Sequence, residues 1–519
     1  MRLTQLIQRA ARHNGSDPAV TFDDDTLSWA QIEDRCARTA GVLTGLGVTP
    51  GDRVAMLTLN SLDAYTLFFA VPWVAAILIP LNWRLSEPEQ LAVLEDCTPR
   101  ILICDAANAD AARRLAAQCE FIEQVVFADK DDVPGGCIGL HDALTRADRN
   151  PDISGSDNDV AYLFYTSGTT GRPKGVMLTH KNYYVNSLGA LLGYSLRVQA
   201  PAVMPGPLFH VATAMRVFTA AMSASHTVIM RKFDLDTLFR IIETHRIQNL
   251  SLVPTMIDMM LNHPGFSDHD LSSLRRIGYG AAPTTPELQE RALRAWPNVE
   301  FRHGYGMTEA APMISILDAD DHTLTDEGRR RMRSVGQPLP HVEVRILDPQ
   351  GKELPTGEIG EIVARGPNIM KGYWNKPVET AAVLHDGWYH TGDAGYLDDD
   401  SYLYVIDRVK DMIITGGENV YSTEVENALQ EHPGVGQCAV IGIPHPSWGE
   451  AVHAVVVPAN GETVSEQDLV AFCRARIAHY KCPGSVEIRS EPMPLSGANK
   501  ILKNELRNQY LAAHAQGSS

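Results

Sequence analysis

Tyr165-Thr166-Ser167-Gly168-Thr169-Thr170-Gly171-Arg172-Pro173-Lys174-Gly175 is the stretch from which the rest of this chain is read. It holds three glycines, four hydroxyl side chains besides the tyrosine, and two cations. Short apolar runs flank it, Ala161 to Phe164 before and Gly175 to Leu178 after, and both have strand length. A Gly/Ser/Thr loop between buried strands suits a polyphosphate. Glycine lets backbone approach closely, N–H and hydroxyl groups donate to the oxygens, and Arg172 and Lys174 offset the charge. No Gly-Lys-Ser/Thr follows a four-residue spacer, so this is not a Walker A loop. A polar surface loop would seldom have buried flanks, which favours phosphate binding.

Outward from the loop, strands alternate with helices. Ile32, Cys36, Leu43 and Leu46 share a helical face closed by Gly47 and Pro50, and Arg53 to Leu59 reads as a strand. Leu67 to Leu81 is the most apolar run. It is shorter than the roughly 20 residues a bilayer span needs, and Pro72 and Pro80 interrupt it, so it reads as buried helix and strand. Ile101–Cys104, Asn249–Val253, Arg276–Tyr279 and Val299–His303 are further strands, which implies a largely parallel sheet with helices on its faces. Asp148 to Asp159 reads as a joint between subdomains. From about Ser334 the pattern becomes antiparallel, with a hairpin from His341–Leu347 to Glu358–Ala364. The last hundred or so residues read as a small α+β domain. There Thr423-x-x-Glu426 resembles a capping box, and Ser465 caps a helix to about His479.

Composition narrows the function. The chain has 519 residues, enough for several domains, and a net charge of −18. That balance argues against nucleic acid as a partner, since phosphate backbones call for basic surface. None of the eight cysteines forms a Cys-x-x-Cys pair, so zinc and redox readings are weak and a reducing compartment is indicated. With no signal-peptide pattern after Met1 and no integral membrane segment, the chain reads as cytoplasmic.

Three further blocks carry chemistry. Gly304-Tyr305-Gly306-Met307-Thr308-Glu309 follows a strand, where ligands bind in open α/β sheets. Glu309 is a candidate Mg²⁺ ligand, because Mg²⁺ takes one or two carboxylates plus phosphate oxygens and water. Asp393, in Tyr389-His390-Thr391-Gly392-Asp393, has the acceptor chemistry for the vicinal hydroxyls of a ribose. Asp407–Asp411 is a charged cluster at the domain boundary, followed by Gly416-Gly417-Glu418-Asn419, and Lys500 stands beside a turn near the end.

Together with Pro207-Leu208-Phe209-His210, these blocks resemble in order and spacing the adenylate-forming superfamily. That group includes acyl-CoA and aryl-CoA synthetases, firefly luciferase and the adenylation domains of peptide synthetases. The resemblance covers nearly the whole chain. It implies an α/β fold, with a large N-terminal domain (residues 1–408) of parallel-sheet subdomains plus a β-rich subdomain. A small mobile α+β C-terminal domain (409–519) would follow, turning about Lys410. It implies ATP, Mg²⁺ and coenzyme A, a small-molecule carboxylic acid as substrate, and two half-reactions, and it leaves a homodimer open. A carboxylate attacks the α-phosphate of ATP to give acyl-AMP and pyrophosphate; the CoA thiol then displaces AMP.

By the same resemblance Thr166, Ser167, Gly168, Thr169, Thr170, Gly171 and Lys174 hold the β/γ-phosphates. Gly280, Ala281, Ala282 and Tyr305 frame the adenine, and Asp393 takes the ribose with Arg408 beside it. Gly416 and Gly417 line the pantetheine path. Lys500 brings substrate carboxylate and α-phosphate together, and His210, Thr308 and Glu309 complete the catalytic set. The family usually has glycine before that lysine, and here it is Asn499. Val211, Ala212, Met215, Gly306, Met307, Ala310 and Ala311 would line the acyl pocket with His210. Acetate-using relatives carry tryptophan where this chain has Gly306, so room for a larger acid is expected. A medium- or long-chain fatty acid ranks first, an aryl acid of cinnamate or benzoate type second. A peptide-synthetase-like adenylation domain, a luciferase-like oxygenase and a catalytically silent nucleotide-binding protein rank lower.

Overall fold

The structure is a computed structural model of the 519-residue chain. It describes all residues except 131, 168–172, 197–198, 416–417, 447, 460, 496–500 and 516–519, and the side chains of Ser167, Asn419 and Ala515. The chain divides into two compact units. One comprises Met1–Val344, Ala364–Tyr389 and Ser401–Leu403; the other comprises Arg345–Val363, His390–Asp400 and Tyr404–Ser519.

The first unit contains two large sheets. One has eight strands, with Arg53–Leu57 at its centre pairing in parallel with Ile77–Pro80 and Ile101–Cys104. Val160–Ser167 extends it in parallel. This strand then pairs antiparallel with Pro173–Thr179, so the glycine-rich stretch joins the two arms of a hairpin. The second sheet has nine strands. Its parallel core includes Asn249–Leu252, Arg276–Gly280 and Glu300–Gly306, and Met313–Leu317 runs antiparallel on the last of these.

Helices begin where the sequence supplies caps. Ser28 and Thr179 form capping boxes with Gln31 and Asn182, and Ser61 accepts from the Ala64 N–H. The apolar run from Leu67 becomes the end of helix Leu62–Trp73 and strand Ile77–Pro80, with Pro72 in the helix's last turn. Phe68, Phe69, Tyr162, Tyr183 and Phe218 are fully buried against one another around it. Each such side chain contributes about 2 kcal/mol of transfer free energy. Among the described residues no helix is long and apolar enough to cross a membrane. The eight cysteines are unpaired, and burial pushes the thiols of Cys97 and Cys438 up to about 12.

In the second unit, strands Val435–His445 and Gly449–Pro458 form a long antiparallel pair, with Ile413–Thr415 and Ser485–Ile488 alongside the latter. Helices Ser422–Gln430, Glu466–Arg474 and Lys503–Ala515 accompany this sheet. The antiparallel hairpin region expected from His341 is present as strands Glu343–Leu347 and Gly360–Arg365, and the division between units falls within these strands.

Two local readings are corrected. The Ser465 helix stops at Arg474, short of His479, because the N–H groups of Arg476 and Ile477 both turn back onto the Cys473 carbonyl. Thr423 and Glu426 form no capping box. The helix begins at Ser422, and the Thr423 N–H donates to the carboxylate of Asp407, 16 residues upstream in sequence. Glu426 instead accepts from the Val440 N–H and pairs with Lys503.

Candidate active site

In the first unit the loop's arms are pinned by register. Thr166 stands opposite Lys174 and Ser167 opposite Pro173. Gly168, Thr169, Thr170 and Gly171 lie outside the described residues. The Tyr165 hydroxyl donates to Asp96 at 2.6 Å, and burial raises its pKa. The Tyr165 ring also explains Gly175, where a Cβ would come within 2.8 Å of it. The Gly175 carbonyl accepts from the Trp374 N–H. This brings segment 370–374 against the loop's second arm.

The same segment holds Glu309. Glu309 lies in the short 3₁₀ turn Thr308–Ala310 after strand Glu300–Gly306. The Tyr373 hydroxyl donates to its Oε1 at 2.9 Å, and its carbonyl accepts from the Met370 N–H. Lys174 Nζ lies 5.1 Å from the centre of the Tyr373 ring, within cation–π range. Tyr373 therefore links Lys174, on the arm of the glycine-rich loop, to the candidate metal ligand. Sequence reasoning did not find this residue, since nothing in Lys371-Gly372-Tyr373-Trp374 signals it without the fold.

Asn186 and Asn368 both donate to the carbonyls of Ala310 and Met313, which fixes the turn from below. Ala310, Ala311 and Met215 are buried, so they pack the turn and helix rather than offer a pocket surface. Val211 is nearly covered, while Ala212, Met307 and half-buried His210 keep exposed surface. His210 stands at the start of helix Val211–Ser223, its ring 4.5 Å from that of Phe209.

Gly306 requires a correction. A Cβ there would sit 1.9 Å from the Pro312 carbonyl oxygen, so the volume expected beyond this glycine is occupied by backbone. The glycine accommodates the irregular pairing of Glu300–Gly306 with Met313–Leu317, whose register shifts between Tyr305 and Gly306.

Gly280 ends its strand beside Gly304, its register partner, and a Cβ on Gly280 would lie 2.1 Å from the Gly304 carbonyl oxygen. Ala281 continues with positive φ (64°) and is exposed, and Ala282 is partly exposed. The Gly280–Ala282 loop and half-buried Tyr305 thus leave the carboxyl ends of adjacent parallel strands, a position that suits a ligand.

The second unit carries the other candidates. Arg408 Nε donates to Asp393 Oδ1 at 2.8 Å, and its Nη1 to the Thr391 carbonyl. The Thr391 hydroxyl donates to the Ile362 carbonyl and accepts from the Asp393 N–H, which fixes the carboxylate. Lys410 is exposed in the short turn Val409–Asp411. Gly416, Gly417, Asn499 and Lys500 lie outside the described residues; their described neighbours pair, Thr415 with Glu418 and Leu495 with Ile501.

Among the described residues no group of three or more His, Cys, Asp and Glu side chains is placed to hold a metal. A single carboxylate oriented by a phenol fits Mg²⁺ arriving with a nucleotide, since Mg²⁺ keeps several waters and phosphate ligands.

Residues 7–374 match the family model described as AMP-binding enzyme, and residues 424–500 the AMP-binding enzyme C-terminal domain. The chain is 41% identical over 503 residues to a feruloyl-CoA synthase of an Amycolatopsis species, covering 97% of this chain and 98% of that protein. It is 35% identical over 496 residues to a long-chain-fatty-acid–CoA ligase of Mycobacterium tuberculosis, covering 94% of each. Among solved structures, the o-succinylbenzoate CoA synthetase of Bacillus subtilis, in complex with its acyl-adenylate intermediate, superposes with a TM-score of 0.85. That match is at 29% identity and covers 97% of both chains.

Proposed function

Since the chain belongs to the AMP-binding, adenylate-forming enzyme family and is an acid–thiol ligase, we propose that it activates an aryl acid of the arylpropenoic or arylalkanoic kind, as acyl-AMP, and passes it to coenzyme A. The observation that carries the acid class is the uncovered surface beside His210. The His210 ring lies 4.5 Å from that of Phe209, which meets Trp83 edge-on at 6.0 Å. Aromatic side chains of this kind, with the Arg84 guanidinium over Trp83 and Phe209, suit a ring. The relative named for feruloyl-CoA supports the same class. This reverses the order read from the sequence, which rested on room beyond Gly306.

In this reading Lys174 and the loop Thr166–Gly171 offset the charge of the β/γ-phosphates, and Glu309, oriented by Tyr373, would hold Mg²⁺. The ion supplies charge neutralisation on the phosphates. Thr308 lies beside the α-phosphate, Gly280–Ala282 and Tyr305 frame the adenine, and Asp393 takes the ribose hydroxyls. Lys500 draws the two anions of the first step together. Rotation about Lys410 then brings Gly416 and Gly417 to the thiol path. A carboxylate alone has oxide as leaving group; AMP makes the second step accessible to the thiol.

The second reading, a medium- or long-chain fatty acid, is favoured by the relative from Mycobacterium tuberculosis. Steady-state AMP release with CoA across cinnamate, phenylpropionate, octanoate and palmitate distinguishes them. Aryl acids at least tenfold above the alkyl acids in kcat/KM are expected; the opposite order overturns the aryl assignment. In the same assay Lys500→Ala is expected to abolish adenylation while still converting supplied acyl-AMP and CoA to thioester.

A further inference from the structure

Helix Val211–Ser223 is covered by protein on most sides, yet Ala212, Thr213 and Arg216 keep part of their surface. They are neighbours three and four residues apart on one helical face. One turn further on, Thr219 and Ala220 are buried, so the uncovered stripe that starts near His210 ends at Arg216. Helical rise places Arg216 about 9 Å along the axis from His210, a span that suits an arylpropenoate better than a long alkyl chain.

The surroundings of Arg216 are distinctive. Its guanidinium carbon lies 4.6 Å from the centre of the Tyr194 ring. Both side chains crowd a bare stretch of strand Arg276–Gly280: a Cβ on Gly278 would come 2.6 Å from the Tyr194 ring and 3.4 Å from an Arg216 terminal nitrogen. The Tyr194 hydroxyl lies 3.9 Å from the weak acceptor Met313 Sδ and is also the hydrogen-bonding partner of the Arg216 side chain. Desolvation is the main influence on Arg216 and lowers its pKa. Among the described residues no carboxylate lies within 4.0 Å of its guanidinium. Arg302, whose charge also acts on Tyr194, is already neutralised by Glu300 and Asp318. The phenol is a neutral partner and no counter-ion, and a guanidinium has five N–H donors, so the enclosed cation keeps donors for a further acceptor.

We infer that Arg216, with Tyr194 beside it, receives an oxygen on the ring of the acid substrate, a phenolic hydroxyl or ring ether at the end remote from the reacting carboxylate. The inference rests on the aryl-acid reading above. A guanidinium whose polar partner is a phenol suits a neutral oxygen better than a second carboxylate, whose own desolvation is a larger penalty. A site built to bond a substrate oxygen discriminates strongly against the analogue lacking it, because its own polar group is then left unpaired.

The test compares specificity constants for cinnamate, 4-hydroxycinnamate and 4-carboxycinnamate in the wild type and in Arg216→Met. The wild type is expected to favour the hydroxylated acid at least tenfold over cinnamate, and Arg216→Met to reduce that ratio below threefold, chiefly through KM. A wild-type ratio near one, a preference for the dicarboxylate, or a ratio that survives the substitution overturns the inference. If Arg216→Met does not fold, as judged by its melting curve, Arg216→Gln is read the same way. Turnover of alkyl acids with none of any aryl acid overturns the aryl reading itself; aryl turnover without a ring-oxygen preference overturns only the role of Arg216.

Discussion

Tyr373 shows how one side chain serves two functional groups: its hydroxyl orients Glu309 and its ring faces Lys174. Tyr373→Phe keeps the ring and removes only the donor. A hydrogen bond to a charged group contributes about 1.5–3 kcal/mol, so ATP-dependent adenylation should fall about tenfold or more. The magnesium concentration for half-maximal rate should rise with it, while supplied acyl-AMP is still converted to thioester at the wild-type rate. Gly306 makes the opposite point. Its missing side chain serves backbone packing, because a Cβ would strike the Pro312 carbonyl. Gly306→Ala should therefore lower stability by about 2 kcal/mol and reduce turnover of short and long acids alike. A selective loss of long acids in paired kcat/KM measurements would instead place Gly306 on the acyl chain.

At the scale of elements, helix Ser422–Gln430 is started by a residue of a neighbouring strand. Asp407, on strand Leu403–Arg408, accepts from the Ser422 hydroxyl at 2.6 Å and from the Thr423 N–H at 3.0 Å. Lys503, at the head of the last helix, donates to the same Ser422 hydroxyl and pairs with Glu426 at 2.7 Å. Burial raises the pKa of Glu426, and Lys503 pulls it back down. One polar chain thus ties three elements of the second unit. Lys503→Met leaves Glu426 without its cation, which should cost about 3 kcal/mol in urea unfolding. Adding Glu426→Met should recover a large part of that loss, because an apolar pair replaces an uncompensated carboxylate. Equal loss in the single and double variants would show that the pair is not coupled.

For the whole molecule, several buried histidines set the response to acid. Burial lowers His180, His303 and His322 from 6.5 to about 4, and the His180 Nδ1 accepts from the Leu3 N–H. Below pH 6.5 the unfolded chain takes up these protons while the folded chain does not. Their contribution is therefore complete above about 6.5, is lost as pH falls toward 4, and changes no further below that. By pH 5.5 the loss should be about 1 kcal/mol for each histidine. Urea midpoints at pH 7.5 and 5.5 should show the decline, and His180→Gln should flatten it by one histidine's share.

Local chemistry was sufficient for much of this protein. The glycine-rich loop between strands, the alternation around it, the buried helix and strand of the Leu67–Leu81 run, the hairpin after His341 and the C-terminal α+β region follow from periodicity, caps and turn residues, which act over a few positions. The order of the chemical blocks likewise carried the family. What sequence could not supply depends on which distant backbones meet. Gly306 is indistinguishable from a pocket glycine until Pro312 is seen against it. Thr423 and Glu426 have the spacing of a capping box, yet Asp407 and Lys503 reach their positions from other elements and outcompete the local pairing. Arg216 is one charge on an apolar helix, and only the tertiary structure sets Tyr194 and Gly278 around it while Arg302 engages Glu300 and Asp318. Close approach and charge pairing are properties of the tertiary structure, and these decided the surroundings of Gly306, Thr423 and Arg216.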